Sequence, residues 1–118
     1  MTTLYGIPNC DTVKKARRWL DEHGIAYTFT DLRETPVGKT RLKQWLAAVS
    51  ADTLMNRRST TWKQLPDNAR PDTDDAAAVI AALEAHPTLI KRPVLEYGKQ
   101  IHVGFNTDDY TRLFNPKK

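Results

Sequence analysis

The chain has 118 residues, 40% of them hydrophobic and 27% charged, with a formal net charge of +4 and one cysteine. Area scaling predicts that about two-thirds of the unfolded surface is buried on folding, enough for one core and little more. One cysteine excludes an internal disulfide framework and a cysteine-rich zinc module, and the hydrophobic share excludes a disordered chain.

Residues 2–5 read as a short strand, with Leu4 and Tyr5 as its large side chains. Gly6-Ile7-Pro8-Asn9 is a turn signal. From Thr12 the apolar residues Val13, Ala16, Trp19 and Leu20 recur at helical spacing, and His23-Gly24 is a helix stop. Residues 25–30 read as a second strand. Residues 39–49 place Leu42, Trp45, Leu46 and Val49 on one helical stripe. Leu54-Met55 and Trp62/Leu65 suggest short turns or helices, and residues 66–71 a polar loop. Residues 72–85 predict a helix capped by Asp72, Thr73 or Asp74, with Ala76, Val79, Ile80 and Leu83 buried. Residues 94–97 and 100–103 predict a hairpin around Gly98-Lys99. Asn106 or Thr107 caps a last helix through Phe114, and residues 115–118 read as a frayed tail.

That order is βαβ, then helices, then ββα. It predicts an α/β chain with a thioredoxin-like fold on a mixed four-stranded sheet. One domain over residues 1–118 is expected, its core at about 2–33 and 87–114 and a helical insertion at about 34–86. The longest apolar run, residues 76–83, is far short of the roughly 20 residues of a membrane helix. The N-terminus has neither the basic region nor the apolar region of a secretory signal. A cytoplasmic domain with a reduced thiol and no membrane partner is therefore expected.

Charge is uneven. Residues 1–65 hold 11 Lys and Arg against 6 Asp and Glu, and residues 66–118 hold 7 against 8. A basic half attracts anions, although basic residues also simply coat helices. No recognition-helix signature gathers these charges, so direct nucleic-acid binding is not expected.

Cys10 carries the chemistry. A thiol just before a helix start faces free N–H groups and the positive dipole end, which stabilise thiolate. Lys14 and Lys15, about one turn on, act in the same direction, whereas Asp11 opposes it. A lone cysteine can also be a small buried hydrophobe. The polar flanks Asn9 and Asp11 favour the reactive thiol. Asp11-Thr12-Val13 follows Cys10, so there is no Cys-X-X-Cys. Any disulfide must join Cys10 to another molecule, with glutathione or a protein thiol as natural candidates. No permanently bound cofactor and no metal is expected.

Arg92-Pro93 precedes a strand. Residues alone favour an ordinary trans peptide. The thioredoxin-like order favours a cis bond that leaves backbone groups beside Cys10 free for a bound peptide. Arg57-Arg58 reads equally as an anion site or as surface charge. His23, His86 and His102 lack metal spacing and read as surface or strand-end filler. Trp19, Trp45 and Trp62 read as core. No phosphate loop or Ser-His-Asp pattern is visible.

Tyr5-Gly6-Ile7-Pro8-Asn9-Cys10-Asp11-Thr12, Asn56-Arg57-Arg58-Ser59-Thr60-Thr61-Trp62 and Ile90-Lys91-Arg92-Pro93-Val94 together resemble the arsenate reductase/Spx family. The closest likeness is to its YffB-like (Spx/MgsR-type) branch. The resemblance implies a thioredoxin-like fold with a helical insert, and a nucleophilic cysteine at Cys10. In glutaredoxin-coupled arsenate reductases several arginines hold the oxyanion. One matches Arg92; others fall at Asn56, Val103 and Lys14, and a histidine falls at Gly6. The resemblance to Spx regulators implies docking on the RNA polymerase alpha subunit, but their second redox cysteine falls at Val13.

Three functions are thus expected. The first is a glutathione-dependent thiol oxidoreductase, with glutaredoxin or a protein thiol as further partner. The second is a regulator that binds RNA polymerase alpha without a redox switch. The third is an arsenate reductase with an incomplete anion site. In the first, Cys10 is the nucleophile, and Arg92 and Arg57 bind a carboxylate. Lys14 assists electrostatically and Pro93 shapes the groove. Asn9, Asp11 and Thr12 complete the expected binding set.

Overall fold

The computed structural model describes residues 2–35 and 37–114. Strand β1 (Thr2–Gly6) leads into helix α1 (Asp11–Glu22), and β2 (Thr28–Asp31) follows. Val13, Ala16, Trp19 and Leu20 are the buried stripe of α1, as their spacing predicts. Strand β2 starts later than residue 25, because the Ile25 N–H donates to the Leu20 carbonyl at 3.0 Å and is tied to the helix end.

Helices α2 (Lys39–Ala48), α3 (Ala51–Leu54), α4 (Thr60–Gln64) and α5 (Ala76–Ala85) come next. The polar loop after α4 contains a 3₁₀ turn, Asp67–Ala69, and a second, Pro87–Leu89, follows α5. The start of α5 corrects the expectation of a cap at residues 72–74. Asp75 is the cap, its carboxylate accepting from the Ala78 N–H at 3.1 Å. Asp72 instead closes a preceding turn, accepting from the Asp74 N–H at 3.0 Å. Ala76, expected inside, is exposed on the first turn, while Val79, Ile80 and Leu83 are buried.

Strands β3 (Val94–Tyr97) and β4 (Gln100–Val103) form the predicted hairpin, with Gly98 at φ +61°. Helix α6 (Thr107–Phe114) closes the described chain. Asn106 caps it, its side-chain oxygen accepting from the Asp108 and Asp109 N–H groups. The expected tail, residues 115–118, lies outside the described residues. Among the described residues no helix is long and apolar enough to cross a membrane.

The sheet order is β2-β1-β3-β4, with β1 parallel to β2 and antiparallel to β3. Strand alternation then divides the core between two faces. Leu4 and Leu95 are paired and pack with Ala16, Trp19, Leu20 and Tyr110 under α1 and α6. Their neighbours Tyr5 and Val94 face the other way, into a larger cluster with Leu42, Trp45, Leu54 and Leu83 from the middle helices. Both faces stop at the same end of the sheet, where β1 ends at Gly6 and β3 begins at Val94.

Gly6 is required there by packing. A Cβ on it would meet Val13 Cγ2 at 2.7 Å, and Val13 is fully buried. Gly6→Ala is expected to cost about 1–3 kcal/mol through overpacking. Paired with Val13→Ala, the combined loss should fall at least about 1 kcal/mol short of the sum of the two single losses. Urea unfolding of the three variants measures this, and strict additivity would disprove the clash.

Candidate active-site cleft

Cys10 stands at the start of α1 with extended backbone, φ −92° and ψ 126°. Its N–H donates to the Ile7 carbonyl at 3.1 Å, and its own carbonyl accepts from the Lys14 N–H at 2.9 Å. The turn and the first helical turn thus clamp the residue from both sides. Its side chain makes no cap hydrogen bond, and the residue is half-buried.

The side chain opens on a cleft of about 360 Å³. Thr12 borders it on the helix side, and Asn56, Lys91 and Arg92 on the insertion side. The third wall is the turn from β4 into α6, including His102, Val103 and Asp109. The walls are joined by backbone. Met55 and Ile90 form an antiparallel bridge. Around it the Asn56 N–H donates to the Leu89 carbonyl and the Lys91 N–H to the Leu54 carbonyl, both at 2.7 Å. The Gly104 N–H donates to the Pro93 carbonyl at 2.8 Å, which fastens the α6 turn to the same loop.

The Arg92–Pro93 peptide is cis, as the topology suggested. Pro93 itself is buried and does not line the cleft. Its carbonyl is taken by Gly104, so that group is not free for a ligand. Arg92 donates from Nη1 to the Thr88 carbonyl at 3.3 Å, while its buried Nε has no partner among the described residues. Arg92 lines the cleft, and a guanidinium anchored on one side there suits an anion.

Of the eight residues expected at the site, Cys10, Thr12 and Arg92 meet in the cleft. Asn9 and Asp11 are exposed beside it without lining it, and Lys14 lies on the exposed face of α1. Arg57 is a correction. It lies in a neighbouring depression and pairs with Asp52 at 2.8 Å. One-residue spacing from Asn56 was too coarse to show that Arg57 turns outward.

Two residues were missed. Lys91 is exposed and lines the cleft next to Arg92. His102, expected as filler, lines it as well. Its Nε2 lies 3.0 Å from an Asp109 carboxylate oxygen and its Nδ1 3.1 Å from the Gly104 carbonyl. Asp109 also pairs with Arg112. The His102 hydrogen bond, with smaller contributions from Arg112, holds the Asp109 carboxyl below the usual range. No local period marks His102; it comes to the cleft where β4 turns into α6, held by Asp109 and the Gly104 carbonyl.

Asn56 and Val103, where the resemblance implied arginines, both line this cleft, and Lys91 and Arg92 are its two cations. A helix-start thiol beside two cations is able to attack a sulfur and to hold an anionic group next to it.

The ArsC family model matches residues 5–113. The solved YFFB protein has a TM-score of 0.89 at 43% identity, covering 94% of this chain and 96% of that one. An arsenate reductase (ArsC) related protein from Brucella melitensis has a TM-score of 0.72 at 41% identity, covering 96% and 93%. The global transcriptional regulator Spx of Listeria innocua is 31% identical over 120 residues, all of this chain and 89% of that protein. A glutaredoxin from Archaeoglobus fulgidus shares the fold alone, with a TM-score of 0.51 at 12% identity over 96% of this chain and 84% of that one. The βαβ and ββα units around the mixed sheet are accordingly thioredoxin-like. The family match takes in every wall of the Cys10 cleft, and with it this chain belongs to the ArsC family.

Proposed function

We propose that the protein is a glutathione-dependent thiol oxidoreductase. The supporting observation is one thiol, the sole cysteine of the chain, sharing a cleft with Lys91 and Arg92. In this reading the Cys10 thiolate attacks the glutathione sulfur of a protein–glutathione mixed disulfide. That S–S bond breaks, the protein thiolate leaves with the bonding pair, and it takes a proton from water. A second glutathione thiolate then attacks the Cys10–glutathione disulfide. Cys10 is released as thiolate, and oxidised glutathione departs. The net reaction reduces one protein mixed disulfide and oxidises one glutathione. Arg92 and Lys91 hold a glutathione carboxylate, Thr12 borders the attacking sulfur, and no permanent cofactor takes part. Mass spectrometry of the intact chain after exposure to oxidised glutathione tests this. One glutathione per chain, removed by fresh glutathione, is expected; an unmodified chain would sink the reading.

A regulator docking on RNA polymerase alpha is the second reading, supported by the full-length similarity to Spx. Val13, fully buried, stands where a Cys-X-X-Cys would need its second thiol, so such docking would run without that switch. A pull-down on RNA polymerase alpha that is insensitive to Cys10→Ser supports it, and recovery of no alpha subunit removes it.

Arsenate reduction is limited by Asn56 and Val103. Each missing charge-assisted contact is worth about 1.5–3 kcal/mol. The pair Asn56→Arg/Val103→Arg is therefore expected to raise arsenate-dependent glutathione oxidation by about 10²–10⁴-fold in the presence of glutaredoxin. No gain would mean that the cleft does not seat an oxyanion as in the arsenate reductases.

A further inference from the structure

Beside the Cys10 cleft lies a second depression of about 440 Å³, lined by Asp52, Met55, Asn56, Arg57, Arg58 and Lys91. It holds three cations and one carboxylate, and that carboxylate is already paired with Arg57. Arg58 and Lys91 have no ion pair among the described residues, and both are exposed. The two hollows share Asn56 and Lys91 as a common wall.

That wall is rigid. The Met55–Ile90 bridge and its two flanking hydrogen bonds join the Asn56 turn to the Lys91–Arg92 loop. The Asn56 side chain accepts from the Arg58 N–H at 3.1 Å, and Ser59 caps the following helix by accepting from the Trp62 N–H at 3.2 Å. The Arg58 backbone is thereby fixed beside the thiol cleft instead of swinging on a loose loop.

We infer that this depression reads an acidic segment flanking the reactive sulfur of a protein substrate. The inference rests on the thiol-exchange reading of Cys10 and adds which thiols the protein prefers. A cationic hollow sharing a wall with the nucleophile's cleft steers partners with carboxylates near their sulfur and disfavours basic ones. Charges at such a rim act chiefly on the association rate, and salt screens them.

Three peptides carrying one cysteine flanked by Glu, Gly or Lys, each activated as a mixed disulfide with thiopyridine, test this on the reduced full chain. The Cys10 thiolate attacks the peptide sulfur and the S–S bond breaks. Thiopyridine leaves with the bonding pair and takes a proton from water, giving a Cys10–peptide disulfide and a coloured product. At low salt the Glu peptide is expected to react about tenfold faster than the Lys peptide, and the gap should shrink toward one in about 1 M salt. Arg58→Glu should close most of the gap between the Glu and Lys peptides. Lys99→Glu, at the hairpin beyond the far end of β3, makes the same change in net charge and should leave the gap in place.

Equal rates for the three peptides would overturn the inference, as would a gap that closes equally in Lys99→Glu. A fourth arm uses the glutathione–thiopyridine disulfide. If Arg58→Glu slows only that arm, the hollow serves glutathione itself and the acidic-segment inference falls. No reaction with any disulfide would overturn the thiol-exchange reading along with it.

Discussion

Cys10→Ser is expected to abolish formation of the glutathione adduct and to lower reduction of a mixed disulfide by about 10³-fold or more. A hydroxyl in that position is as small and as well placed at the start of α1. It differs in that almost none of it is ionised near neutral pH, so the nucleophile is lost while the geometry stays. Because the chain has no other cysteine, nothing can take over. Arg92→Met gives the companion result. It keeps the bulk beside Pro93 but removes the guanidinium that lines the Cys10 cleft. Loss of about 1.5–3 kcal/mol of charge-assisted binding predicts a rate about 10–100-fold lower, with adduct formation slowed but still complete. Stopped-flow rates for the three proteins, with circular dichroism to verify folding, decide the matter. Retention of a tenth of the activity by Cys10→Ser would end the covalent mechanism.

Glu96→Ala is expected to be strongly destabilising. Glu96 leaves β3 on the side of the middle helices and gathers three donors. Arg41 donates to both of its oxygens at 2.7 Å, the Trp45 indole N–H at 2.8 Å, and the Tyr5 hydroxyl at 3.2 Å. Trp45 is fully buried and Tyr5 nearly so. The Arg41 bond is half-exposed and contributes little by itself. Stranding the Trp45 N–H and the Tyr5 hydroxyl in the core carries the cost, about 3 kcal/mol, or roughly 10–15 °C in Tm for a chain of this size. Glu96→Gln can still accept from Trp45 and should lose less. A Tm shift under about 3 °C for Glu96→Ala would show that the network is not structural.

The same cluster predicts an alkaline limit. Burial, then the Glu96 charge, push the Tyr5 hydroxyl up to about 12. Below its unfolded value of about 10 both states hold the proton and stability is unaffected. Between about 10 and 12 the unfolded chain releases it while the folded one keeps it, so stability falls as pH rises. Burial raises Tyr110 in the same direction. Tyr5→Phe should therefore flatten part of the alkaline loss in urea titrations, and an unchanged slope would contradict the assignment.

Much of this protein was legible along the chain. The stripe of α1, the Gly98-Lys99 hairpin, the Asn106 cap and the lone thiol in the first turn are all set by spacings of a few residues. Helical and strand periodicities report such spacings directly. They also limit the chemistry: with one thiol, any disulfide cycle borrows its second from outside. The start of α5 was misread because three acids and a threonine at residues 72–75 offer competing caps, and the choice fell to which aspartate the preceding turn consumes.

The population of the cleft was settled by tertiary structure. Lys91, Arg92 and Asn56 reach Cys10 because Met55 pairs with Ile90, a contact between segments 35 residues apart that no local period encodes. His102 reaches it where β4 turns into α6. Lys14, close to Cys10 along the chain, points away on the exposed helix face, and Arg57 is held outside by Asp52. Proximity in sequence identified the nucleophile; closure of long loops over a twisted sheet chose the charges around it.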